Sequence, residues 1–241
     1  MKAVIAGISP GAQVIDISHS VQPQNASQAS YLLWSCYRFF PKGTTFVCVV
    51  DPGVGTTRKI LCVEGSGYRF LAPDNGVLGL ILGEARSPKI VSVENHRFFR
   101  IPVSRTFHGR DIFAPVAARL ANGTPPSALG PRVAPSSPGE TLVDARMGVR
   151  AAYRGKVLHV DRFGNIITNF RLSSGLRSPF RLRIGTLSIS RSAQTYGSAG
   201  AKRPFALLGS AGLLEVSLKN NSAARVLRAK IGQALLLRTG R

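Results

Sequence analysis

Two periods of hydrophobic residues alternate along the first 125 residues. AQVIDIS (12–18) reads as a strand. Asn25 then caps a predicted helix on which Ala29, Leu32, Leu33, Cys36 and Phe40 fall on one face at helical spacing. TFVCVV (45–50) is a near-continuous apolar run of the kind buried on both sides of an α/β sheet. KILCVEG and YRFLA pattern as the two arms of a hairpin, and Asp111 opens a helix, DIFAPVAARLANG, that Gly123 closes. Strands alternating with helices predict a layered α/β domain. Between Gly123 and Gly148 lie Pro125, Pro126, Pro131, Pro135 and Pro138, a linker composition. Beyond it the pattern turns to short β-like stretches, KVLHVD, NIITNF, FRLRIG, PFALLG, LLEVSL and IGQALLL, which predict a small barrel or sandwich. No internal repeat interrupts this order.

Composition narrows the class. Across 241 residues, 44% are hydrophobic and 18% charged, enough apolar side chain for a sizeable core. No apolar run approaches the roughly 20 residues of a membrane span, and the short apolar start is broken at Gly7 and Pro10. A soluble, cytoplasmic protein with no membrane partner is expected. Cys36, Cys48 and Cys62 have no CxxC spacing, so neither a disulfide framework nor a metal site is expected. The net charge of +21 raises the question of nucleic acid. The arginines, however, are scattered singly through strand-like text without aromatic interleaving, so no specific nucleic-acid partner is expected.

Acid is scarce, with 11 Asp and Glu against 32 Lys and Arg, and four of the acids occupy turn contexts. These are Asp51 in DPGVG, Asp74 in PDNG, Asp111 in FHGRD and Asp161 in DRFGN. Each alone is ordinary turn chemistry, although turns after strands are also where α/β proteins place their reactive groups. Asp51 emerges from an apolar strand, with Arg58 returning seven residues later, and His108 stands just before a helix start. The glycine-rich turn after Asp51 lacks the GK[ST] ending of a phosphate loop.

Taken together, VIDISHSVQPQN (14–25), FPKGTTFVCVVDPGVGTTR (40–58), APDNGVL (72–78), TFHGRDIFAPVAARLANG (106–123), GKVLHVDRFGNIITN (155–169) and GSAGLLEVSLKNNSA (209–223) resemble, in the same order, the adenosine-forming S-adenosylmethionine hydrolases. That family is related to the fluorinating and chlorinating enzymes acting on the same substrate. The resemblance implies an N-terminal layered, Rossmann-like α/β domain (1–130), a linker (131–150) and a C-terminal small β-barrel domain (151–241). It further implies a homotrimer with sites at subunit interfaces, a small-molecule substrate and no cofactor. The implied reaction is attack of an activated water on ribose C5′ with methionine leaving.

The implied catalytic set is Asp51, Arg58 and His108, with the proton acceptor either Asp51 or His108. The resemblance assigns Asp161 and Asn165 to the methionine ammonium, and Phe163, with Tyr196, to adenine stacking. Backbone groups around Leu218 and Asn220 are expected at the adenine edge, and Gln24 at the ribose. The family's first strand, with an aspartate that grips the ribose hydroxyls, is expected to be missing, since the sequence opens at what matches a later segment. Two alternatives accompany this reading: a halogenase, opposed by Asp51 where halogenating relatives have Tyr, and a truncated, non-catalytic protein that binds the same substrate or nucleic acid.

Overall fold

A computed structural model describes residues 1–137, 139–172, 175–176, 179–200 and 203–240. The chain forms two compact units, Met1–Glu140 and Thr141–Arg241.

The first unit opens with helix α1 (Lys2–Ile8). Helix α2 (Ala26–Cys36) follows, and the Asn25 side chain accepts from the Gln28 amide and so caps its first turn. Strands β1 (Thr45–Val47), β2 (Ile60–Gly65), β3 (Tyr68–Pro73) and β4 (Lys89–Ser92) form a sheet in the order β1-β3-β2-β4. The expected hairpin is β2–β3, with Gly65 opposite Tyr68. Ser66 and Gly67 both have positive φ, the geometry of a two-residue primed turn that matches strand twist. Helix α3 (Gly79–Glu84) precedes β4, and helix α4 (Ala114–Ala121) carries Ala114 and Ala118 against Ile5 of α1.

Three expectations need correcting. AQVIDIS forms no strand: Val14, Ile15 and Ile17 are exposed, and no neighbouring strand satisfies its backbone. TFVCVV pairs only over Thr45–Val47, parallel to β3, and only Phe46 of the run is buried. The helix expected from Asp111 begins earlier, in a π-helical turn, Gly109–Phe113. Pro115 has no amide hydrogen, so the Asp111 carbonyl four residues back loses its helical donor. It accepts instead from the Arg100 amide at 2.8 Å.

The second unit is an eight-stranded, barrel-like sheet. Its members are β5 (Val143–Ala145), β6 (Ala151–Val160), β7 (Ile166–Leu172), β8 (Phe180–Ile184), β9 (Leu187–Ile189), β10 (Phe205–Leu208), β11 (Leu213–Ser217) and β12 (Ala234–Thr239). The order is β10-β11-β7-β6-β12-β8-β9, with β5 added parallel to β7. The chain beyond β9 bridges β10 at Ser192–Ala206, which nearly closes the ring. Residues 131–150, expected as linker, therefore include a strand of this sheet. Helix α5 (Ala223–Val226) lies between β11 and β12.

Strand alternation explains the FRLRI text of β8: Phe180, Leu182 and Ile184 enter the core, and Arg181 and Arg183 face out. On the same outer face, Arg238 of β12 stands directly opposite Arg181, and Leu236 lies between Arg183 and Arg154 of β6. None of these four arginines has an acidic partner among the described residues.

Candidate functional site

Two constellations form, one in each unit. In the first, the Asp51 carboxylate receives one edge of the Arg58 guanidinium: Nε donates to Oδ1 at 2.8 Å and Nη2 to Oδ2. Nη2 also lies 3.1 Å from Nδ1 of His108. A guanidinium offers only N–H groups, so Nδ1 is the accepting nitrogen, and the proton of the neutral ring sits on Nε2. Burial, and after it the charge of Arg58, lowers the His108 pKa below its ordinary 6.5, only partly opposed by Asp51. The imidazole is thus neutral at physiological pH, with Nε2–H as a donor.

Local structure brings these groups together. The PDNG turn braces the loop from both sides: Asn75 Nδ2 donates to the Val50 carbonyl at 2.9 Å, and the Asp74 amide donates to the Lys59 carbonyl. Asp51 and Arg58 are therefore held one residue inside two anchored positions. Gly53 supports the Arg58 stem, since a Cβ there would stand 3.1 Å from Arg58 Cγ. A Cβ on Gly109 would meet Met1 and Val49, a close approach that seats His108 at the head of the π turn. Asp111, enclosed, binds the Arg110 guanidinium and the Ser104 amide. With the Arg100 guanidinium they hold its carboxyl well below the ordinary carboxylate range. Asp74 accepts from the Ser136 amide and hydroxyl. Both of these acids act structurally. Gln24 is exposed, with φ of +64°, and no hydrogen bond joins it to the trio.

In the second unit the DRFGN turn is organised by Asp161. Its Oδ1 accepts from the amides of Phe163 and Asn165, both at 2.9 Å, and its Oδ2 from Asn165 Nδ2 at 2.8 Å. Phe163 is 66% exposed, with the Arg162 guanidinium over its ring. Gly164, at φ of +81°, packs so closely on Ser222 that a Cβ would overlap it, and its carbonyl accepts from Ala224. This brings DRFGN beside the turn at Leu218–Asn221, in which Asn220 is left-handed. Tyr196 reaches the same region by donating its hydroxyl to Glu215 Oε2 at 2.9 Å. Glu215 was missed in reading the sequence, although a carboxylate inside the apolar run LLEVS is itself a signal.

Among the described residues no group of His, Cys, Asp and Glu could hold a metal ion, and no helix is long and apolar enough to cross a membrane.

The chain as a whole is similar to proteins already known. Residues 1–130 match the model of the SAM hydroxide adenosyltransferase N-terminal domain, and residues 155–236 that of its C-terminal domain. An (R)-S-adenosyl-L-methionine hydrolase of Thermus thermophilus is 37% identical, over 98% of this chain and 92% of that protein. One from Salinispora tropica is 33% identical over 98% and 90%. Fluorinases match at lower identity, 24% for that of Nocardia brasiliensis over 99% of this chain and 91% of that protein. The crystal structure of an uncharacterized conserved protein from Thermotoga maritima superimposes with a TM-score of 0.85 at 36% identity, covering 100% of this chain and 93% of that one. With both domain models matched in order, the chain belongs to the SAM hydroxide adenosyltransferase family.

Proposed function

We propose that the protein hydrolyses S-adenosyl-L-methionine to adenosine and L-methionine. The observation that carries this reading is the hydrogen-bonded chain Asp51–Arg58–His108. A sulfonium makes methionine a good leaving group, so the protein's task is to place and deprotonate water. Water's oxygen attacks ribose C5′ in line with the C5′–S bond. That bond's electron pair returns to sulfur, and the water gives up one proton. His108 presents Nε2–H to the oxygen, and Asp51 is the anionic acceptor for the proton, with Arg58 fixing both. General-base assistance of this kind contributes typically 10²–10⁴-fold.

Phe163 and Tyr196 serve as faces for adenine, the backbone near Leu218 and Asn220 reads its edge, and Gln24 lines the ribose. The same reading includes a cytoplasmic homotrimer and no cofactor. A halide in place of water would face the Asp51 carboxylate and be repelled, which favours the hydrolase over the halogenase. The test is product analysis with and without a chelator, supplying both sulfonium epimers because the relatives' names specify the R form. Adenosine and methionine in equal amounts are expected. 5′-Chloro-5′-deoxyadenosine as the main product in chloride would overturn the assignment.

A further inference from the structure

Residues 141–241 hold fourteen Arg and four Lys against three Asp and Glu. The three acids are kept to one side of the sheet order: Asp144 lies on β5, Asp161 in the DRFGN turn and Glu215 on β11. Strands β6, β8 and β12 carry none. Strand pairing collects on their outer face the arginines that the sequence scatters. Arg154, Leu236 and Arg183 stand in register across the three strands, and Ser188 of β9 follows Arg183. Two residues along, Ala152, Arg238 and Arg181 form a second row. All four arginines are exposed, and none has an acidic partner among the described residues.

Two depressions run between these side chains. One, of about 320 Å³, lies between Arg154 and Arg183 over Ala234 and Leu236. The other, of about 120 Å³, is bordered by Arg181, Arg183, Ser188 and Arg238. Arg183 and Leu236 line both, so the two join in one trough with a half-buried apolar floor and guanidinium walls. Neighbouring strands stand about 4.8 Å apart, and same-face residues of one strand about 6.8 Å apart. That is the scale on which a polynucleotide repeats its phosphates. Like charges directly opposite each other cost a sheet stability, so an anion placed between Arg181 and Arg238 relieves a strain built into the wall.

We infer that this trough grips the phosphate backbone of nucleic acid without reading its bases. The planar fork of arginine pairs bidentately with phosphate oxygens and gives up water more readily than an ammonium does. Among the described residues no aromatic ring lines the trough, so no base stacks there. Backbone contacts carry no sequence information, which agrees with the lack of a base-reading motif in the chain. A membrane surface is the poorer fit, because interfacial anchors present protruding Trp, Phe or Leu, whereas Leu236 is sunk in the floor. The trough shares no residue with either constellation described above, so the inference stands apart from the proposed hydrolysis.

The test titrates the full chain with a labelled DNA duplex of mixed sequence, followed by fluorescence anisotropy at several salt concentrations. The logarithm of the binding constant should fall linearly with that of the salt concentration. Arg154→Gln, Arg181→Gln, Arg183→Gln and Arg238→Gln together should make the slope shallower by about 3 to 4, at roughly 0.9 per phosphate contact. A control with Arg146→Gln, Arg203→Gln, Arg225→Gln and Arg228→Gln makes the same charge change away from the trough and should keep most of the slope. If the fourfold wall variant does not fold, Arg183→Gln alone, at the residue shared by both depressions, should still lower the slope by about one. Equal losses in the two fourfold variants would reduce the effect to net charge and overturn the inference. So would a marked preference between two duplexes of unrelated sequence, or binding to phosphatidylglycerol vesicles that is tighter than to DNA. A wall variant whose mass by light scattering differs from that of the wild type would make the trough a subunit contact instead. No detectable binding of the duplex by the wild type at low salt would end the inference outright.

Discussion

Nδ1 of His108 stands 3.1 Å from the Arg58 guanidinium, fifty residues away in the chain. The contact fixes the imidazole tautomer, and the division of labour proposed above, with His108 as donor and Asp51 as acceptor, rests on it. Arg58 is the hinge of this arrangement because it binds both.

Replacing Asp51 by Asn keeps the volume and removes the accepting charge. Turnover should fall by about 10² or more, with KM for S-adenosyl-L-methionine little changed. Near-normal turnover would reduce Asp51 to a turn former ahead of Pro52.

Removing the guanidinium should act on His108 in a stated direction. Burial and the Arg58 charge lower its pKa, and Asp51 raises it. In Arg58→Gln the imidazole should therefore titrate at higher pH than in the wild type, by NMR of the ring protons. The acid limb of the kcat/KM profile should move up with it. An unmoved titration would mean that Arg58 does not set the state of the ring.

Asp111 supplies a pH signature of stability. Its folded pKa is depressed by Arg110, the Ser104 amide and Arg100, so its contribution is present above the ordinary carboxylate pKa of 3.8. That contribution is lost as pH falls toward the folded value. Asp111→Asn should lower Tm at pH 7, and the difference from the wild type should shrink below about pH 4. A difference constant from pH 7 to pH 3 would contradict this.

Gly164→Ala tests the seam between the DRFGN turn and Ser222. The new methyl meets Ser222 at a left-handed backbone position, so a loss exceeding about 1 kcal/mol is expected. It should appear as a lower Tm and weaker adenosine binding. Normal adenosine affinity would separate that turn from the ligand.

Light scattering should give three times the mass of the chain. A monomer that forms adenosine at the same specific rate would remove the homotrimer from the proposal.

How much of this was legible beforehand varied with what each segment pairs to. The β2–β3 hairpin was readable because its turn chemistry, Ser66-Gly67, is local. The alternation in FRLRI was readable for the same reason. AQVIDIS misled because a strand needs a partner, and apolar alternation says nothing about whether a neighbour exists. The π turn at Gly109–Phe113 depends on Pro115 and on a donor from Arg100, a relation between a helix and a distant loop. In the site, the Asp51 and Arg58 spacing was visible, but the tautomer of His108 was not, since it follows from a contact across fifty residues. Glu215 was legible only as an acid out of place in an apolar strand. Its hydrogen bond from Tyr196 and its close packing on Gly209 form only through the fold.

The outward arginines of β6, β8 and β12 limit how copies of the chain can assemble. Arg181 and Arg238 oppose each other, and Arg154 and Arg183 flank Leu236, with no acid paired to them among the described residues. Enclosing such a face against a second, equally basic copy would strip water from several guanidiniums at once, at several kcal/mol for each ion. A two-fold contact of this wall of the barrel with its own copy is therefore disfavoured.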